Sequence, residues 1–172
     1  MAIYALGDVE PTIHPRAYVS PEAVIIGDVV LGEEASVWPH AVIRGDDATI
    51  RIGDRTSVQD GTVIHVKDIF PTTVGSDCVI GHLVHLEGCV IEDNCLIGNG
   101  SIVMDGAVIE SWALVGANAV VPPLMRVPSL AMALGVPARI KPDRVNRDDI
   151  TDSVAKYVAR VKRYKAGLRR ID

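Results

Sequence analysis

The chain has 172 residues, with 17 Lys and Arg against 22 Asp and Glu for a formal net charge of −5, and it is 48% hydrophobic but only 4% aromatic. That is the size of one domain with at most a short appendage, and no apolar run approaches the roughly 20 residues of a membrane-spanning helix. An acidic balance excludes general nucleic-acid binding, because neutralising phosphates takes a net basic surface.

The first residues, Met1 to Asp8, offer no basic segment followed by a long apolar one, so export is not expected and the cytoplasm is the expected location. From Ile13 onward a six-residue period takes over. Aliphatic anchors recur at Ile13, Val19, Leu31, Val37 and Ile43, at Ile52, Val58 and Ile64, at Val74, Ile80 and Leu86, and at Ile91, Ile97, Val103, Ile109, Val115 and Val121. Four positions after many anchors stands a small or β-branched residue, such as Ala35, Thr56, Thr62, Cys78, Cys95 or Ala107. A helix of 3.6-residue period cannot keep such a pattern on one face, whereas short strands separated by turns can. The period therefore predicts a parallel β-helix, three hexapeptides to a coil, with coils about 4.8 Å apart.

Two steps break the period. Ile43 to Ile52 is nine residues and Ile64 to Val74 is ten, which predicts loops leaving the solenoid, and loops on a rigid scaffold commonly carry function. Cys78, Cys89 and Cys95 form no Cys-x-x-Cys pair and read as reduced core fillers. His14 and His40, each beside a proline, read as surface residues, and Trp38 and Trp112 as corner residues that pack on a helix or another subunit. Pro122-Pro123 and Pro128 are expected to end the repeat. From Asp148 on, Ile150, Val154, Tyr157, Val158, Val161 and Leu168 follow helical spacing. The expected organisation is a β-helix domain over residues 1–125, an extended connector over 126–146, and an amphipathic helix over 147–170 packed on the β-helix.

Aligning the coils by anchor puts polar residues in register. Arg44 follows Ile43, His65 follows Ile64 and Glu87 follows Leu86, so these three should stack in one outward column. Gln59 and Asp60 follow Val58, and Gly81 and His82 follow Ile80, so Asp60 and His82 should stack in a second column on a different face. One site using both columns needs a neighbouring subunit, which a threefold trimer supplies.

Arg44-Gly-Asp46, Gln59-Asp60-Gly61, His65 and Gly81-His82, set in a hexapeptide solenoid and followed by Gly135-Val-Pro-Ala-Arg139 and a C-terminal helix, resemble the gamma-class carbonic anhydrase family over about the whole chain. The resemblance implies a left-handed β-helix, a homotrimer, and zinc held by three histidines from two subunits, with iron or cobalt able to take the same donors. By that resemblance His65 and His82 are metal ligands, the latter donated across the interface. Arg44 and Asp46 are the pair that joins subunits and orients the site, and Gln59 and Asp60 lie near the reactive water. The family's third histidine would fall at position 87, where this chain has Glu87, with His85 two residues earlier. Residues 85 and 87 of an extended segment point to one side, so either can serve. His85 is preferred, because three neutral imidazoles leave zinc its full charge, and Glu87 is the alternative. The implied reaction is reversible hydration of carbon dioxide to bicarbonate by zinc-bound hydroxide. The ten-residue step offers only Asp68 as an acidic proton carrier, which implies slow proton export. Two other functions suit the same solenoid: a non-catalytic metal- or ligand-binding trimer, and a hexapeptide-repeat acyltransferase with His82 or His85 as general base.

Overall fold

The computed structural model describes residues 1–67 and 69–172. Short parallel strands wind into a β-helix of about seven turns, followed by a single C-terminal helix, and the hexapeptide repeats are consistent with left-handed winding. The rungs stack in register on three faces. One face runs Ser36, Ser57, Val79, Leu96, Leu114, Met132. A second runs Val42, Val63, His85, Ile102, Val120. The third runs Arg51, Thr73, Val90, Val108, Arg126.

The aliphatic anchors point inward and pile on one another. Ile25, Ile43, Ile64, Leu86, Val103 and Val121 form one such column, each wholly buried. The smaller residue four places on fills the corner, and where it is polar it is satisfied. The Thr62 hydroxyl donates to the Gly81 carbonyl at 2.7 Å, and that of Thr56 donates to the Gly75 carbonyl at 2.7 Å while accepting from the Cys78 N–H at 3.0 Å. Most of the corners are β-turns whose third residue has positive φ. In Trp38-Pro39-His40-Ala41 the Ala41 N–H donates to the Trp38 carbonyl at 3.2 Å with His40 at φ 59°. This is type II chemistry, in which proline suits the second position.

That turn chemistry corrects the expected end of the repeat at residue 125. Pro122-Pro123-Leu124-Met125 is the same turn, closed by the Met125 N–H on the Pro122 carbonyl at 3.3 Å. Beyond it Arg126–Val127 pairs with Val108–Ile109, and Met132–Leu134 pairs with Leu114–Val115 before folding back antiparallel onto Arg139–Lys141. Pro122 and Pro128 each directly follow an anchor. Elsewhere the N–H at that position reaches the next turn, as Glu110 does to the Val127 carbonyl at 2.9 Å. In the last turn no such donor is needed, so proline fits.

The helix spans Arg147–Gly167, three residues short of the expected end at 170. Asn146 caps it, accepting the Asp148 N–H, and Asp148 and Asp149 lie in the first turn where the helix dipole favours anions. Ile150 and Val154 pack with Val79, Leu96 and Trp112, and Val161 with Tyr18 and Trp38. Both tryptophans thus sit under the helix, and the Arg147 guanidinium lies 4.9 Å from the centre of the Trp112 ring. Among the described residues no helix is long and apolar enough to cross a membrane.

All three cysteines are free and buried. Burial pushes the Cys89 thiol up to about 12 and that of Cys78 well above its ordinary value. Since the thiolate is the reactive form, the folded protein should leave all three unreacted with an aromatic disulfide reagent at pH 8, and the denatured chain should react fully. Rapid labelling of the folded protein would place a thiol at the surface.

Candidate metal centre

The outward column forms as the register requires. Arg44 of the strand Val42–Ile52 pairs with His65 of Val63–His65, and His65 pairs with Glu87 of His85–Glu87. The backbone fixes this: each of the three directly follows a buried anchor, so each must face outward. The extra residues of the nine-residue step then bring Asp46 onto the column. Asp46 pairs with the Arg44 guanidinium, and its Oδ1 lies 3.0 Å from Nε2 of His65. A carboxylate there accepts a hydrogen bond from Nε2–H of the neutral ring, which leaves the lone pair on the other ring nitrogen.

His65 is half-buried, its side chain 21% exposed. Burial first, and the Arg44 charge second, pull its pKa below the usual imidazole value, against the opposing pull of Glu87 and Asp47. The ring is therefore neutral at neutral pH, the form that binds metals. His85 lies on the same face as Glu87, with its Nε2 3.3 Å from Glu87 Oε2.

The second column also forms, with a refinement of its place. Asp60 and His82 lie in the turns after the strands Ser57–Val58 and Val79–Ile80, so they occupy a corner of the prism rather than a face. Nδ1 of His82 is 3.0 Å from Oδ2 of Asp60, and both side chains are more than two-fifths exposed. Gln59, one residue earlier, is buried. The chain thus assembles Arg44, Asp46, His65, His85 and Glu87 on a face of the twelve-stranded sheet. It holds Gln59, Asp60 and His82 together at the end of strands of the eight-stranded sheet.

Asp47 belongs beside these residues and was not singled out by its spacing. A carboxylate oxygen of Asp47, one of Asp46 and a ring nitrogen of His65 all lie within 4.8 Å of one another. The signal available was the Asp46-Asp47 doublet inside the nine-residue step. Asp68, the acidic residue of the ten-residue step, lies outside the described residues. A cavity of about 180 Å³ opens beside this cluster, lined by Leu6, Val9, Asp28, Gly45, Asp46, Asp47 and Ala48. A larger one, about 460 Å³, lies along the helix, lined by residues such as Arg55, Val154 and Val158, away from the histidines.

Chemically, three histidines each keep a carboxylate near one ring nitrogen: His65 with Asp46, His82 with Asp60, and His85 with Glu87. Contacts of this kind orient a ligating histidine through its second ring nitrogen, or hold a ligating carboxylate by a hydrogen bond. Neutral imidazoles and a carboxylate suit zinc and neighbouring divalent ions.

The bacterial transferase hexapeptide family (six repeats) matches residues 10–45, 71–103 and 88–123. The chain is 45% identical over 139 residues to protein YrdA of Escherichia coli, covering 77% of this chain and 76% of that one. It is 37% identical over 167 residues to the carbonic anhydrase of Geobacillus kaustophilus, covering 95% and 91%. Among solved structures, a hexapeptide transferase family protein from Anaplasma phagocytophilum superposes with a TM-score of 0.90 at 32% identity, over 95% of this chain and 98% of that one.

Proposed function

The chain belongs to the gamma-class carbonic anhydrase family of hexapeptide-repeat proteins, and from that premise we propose that it is a cytoplasmic homotrimer that binds zinc between protomers and interconverts carbon dioxide and bicarbonate. The observation that carries this reading is the separation of two half-sites on one protomer. His65 stands on a face, His82 stands on a corner, and each has its own carboxylate partner. Half-sites of this kind are completed by symmetry, one protomer's face meeting the next protomer's corner.

In this reading His65, His82 and one donor from the His85–Glu87 pair hold the ion, with Fe2+ or Co2+ able to replace Zn2+ on the same donors. When bound, the ion supplies Lewis acidity that brings the pKa of water down to about 7. The protein's own contribution is orientation and charge. Asp46 Oδ1 accepts a hydrogen bond from His65 Nε2–H and fixes the ring, and Arg44 holds Asp46 in turn. Gln59, buried one residue before Asp60, is suited to orienting a small neutral substrate by its amide. Asp60 orients His82 and accepts hydrogen bonds from water.

The transferase family match supports a second reading, acyl transfer with His82 as general base and Asp60 as its orienting carboxylate. Metal analysis of the purified protein, followed by stopped-flow carbon dioxide hydration, separates the two. The proposal expects one divalent ion per protomer and hydration that a chelator abolishes. Acyl transfer from a thioester donor by a metal-free preparation would contradict it.

A further inference from the structure

Building on the metal reading above, we propose that Glu87, and not His85, supplies the third donor to the ion, and that His85 is a positioning residue that holds the Glu87 carboxylate. Sequence spacing leaves both open and chemistry alone prefers the imidazole; the register reverses that preference.

Glu87 is the direct ladder partner of His65, whereas His85 pairs with Val63 on one side and Ile102 on the other. Side chains directly opposite on adjacent parallel strands rise from the same face about 5 Å apart, the separation at which two donors converge on one ion. His85 lies two residues back along its strand, which puts it on the diagonal from His65 at about 8 Å. Both of its neighbours in the ladder are aliphatic, and neither offers a second donor at that level. The His85 side chain leans toward Glu87, its Nε2 3.3 Å from Oε2. One oxygen of the carboxylate is thereby engaged by the imidazole, which leaves the other for the ion. This is the reverse of the arrangement at His65, where a carboxylate orients an imidazole; here an imidazole orients a carboxylate. Glu87 is also the better covered of the two, with its side chain 25% exposed against 37% for His85.

The assignment sets the ligand chemistry of the site. Two imidazoles and a carboxylate carry one more negative charge than three neutral imidazoles and include a hard oxygen donor. Such a set is more accommodating of Fe2+, Co2+ and Mn2+ relative to Zn2+ than an all-nitrogen one.

The test uses Co2+ as the probe in the full-length protein, reading ion content, chelator competition and the visible ligand-field spectrum. Circular dichroism and size-exclusion chromatography confirm that each variant is folded. Glu87→Gln should lower Co2+ affinity by more than about 100-fold, since even residues that only support a ligand cost 10- to 100-fold. Glu87→His should restore binding with an altered spectrum, because the donor changes from oxygen to nitrogen. His85→Ala should keep the wild-type spectral shape with affinity reduced by about 10- to 100-fold. Loss of the spectrum in His85→Ala with its retention in Glu87→Gln would overturn the assignment. His65→Ala separates the two levels of failure. If it loses Co2+ while Glu87→Gln keeps the wild-type spectrum, only this assignment falls; if it binds Co2+ as the wild type does, the metal reading itself falls.

Discussion

Replacing His65 by alanine should remove the metal ion, lower carbon dioxide hydration by more than about 100-fold, and leave the protein folded. The loss of activity follows because the imidazole is a direct donor in the proposed site, and even groups that merely orient such donors cost 10- to 100-fold when removed. The preservation of the fold follows from the alternation of the strand. Ile64 and Val66 on either side are wholly buried, while His65 points outward and contributes no apolar surface to the core. Its removal should change stability by no more than about 1.5 kcal/mol, the net worth of the hydrogen bond to Asp46 that is lost. Metal content, stopped-flow hydration and a thermal melt of the metal-free protein check the three parts. A large fall in the melting temperature of the metal-free variant would show that His65 serves the fold instead.

The largest loss of stability is expected in the aliphatic columns. Ile97 is wholly buried, stacked between Ile80 on one rung and Val115 on the next. Ile97→Ala removes its transfer free energy and leaves a cavity, together about 2–5 kcal/mol for a buried aliphatic residue. The solenoid puts this site toward the upper end of that range. Collapse around the cavity would require neighbouring rungs to approach, and their spacing is already fixed by ladder hydrogen bonds such as those from the Gly98 N–H to the Val115 carbonyl and from the Gly81 N–H to the Ile97 carbonyl. Denaturant titration of the metal-free protein should show a lower midpoint. Co2+ binding by the variant at low temperature should be retained, since Ile97 lies outside both half-sites.

Much of this architecture is written in the chain because a six-residue period admits few solutions. The anchors from Ile13 to Val121 fix which side chains face inward. Once that is set, Arg44, His65 and Glu87 have to share a column. The end of the solenoid was not legible in the same way. Proline is a breaker by local rule, yet Pro123 occupies the turn position that favours it, and Pro122 and Pro128 occupy places whose donor is surplus only because the solenoid ends there. That is a fact about register, which the local sequence does not carry. The contact between Asp46 and His65 depends on how three additional residues fold at one corner, as does the approach of Asp47. The period locates the irregular step but says nothing of its shape. The choice between His85 and Glu87 was likewise invisible to alternation, which places both on one side; only the pairing of Glu87 with His65 separates them.

The central claim is that His65 and His82 serve one ion from different protomers, and subunit complementation tests it most directly. His65→Ala and His82→Ala chains, each unable to bind Co2+ alone, are unfolded together in equal amounts and refolded. In a cyclic trimer every mixed assembly contains one interface where an intact His65 meets an intact His82, so random mixing should restore about one quarter of the wild-type Co2+ content. If the two histidines instead served a site within one chain, no mixed assembly would contain a complete site, and the refolded mixture would bind no Co2+.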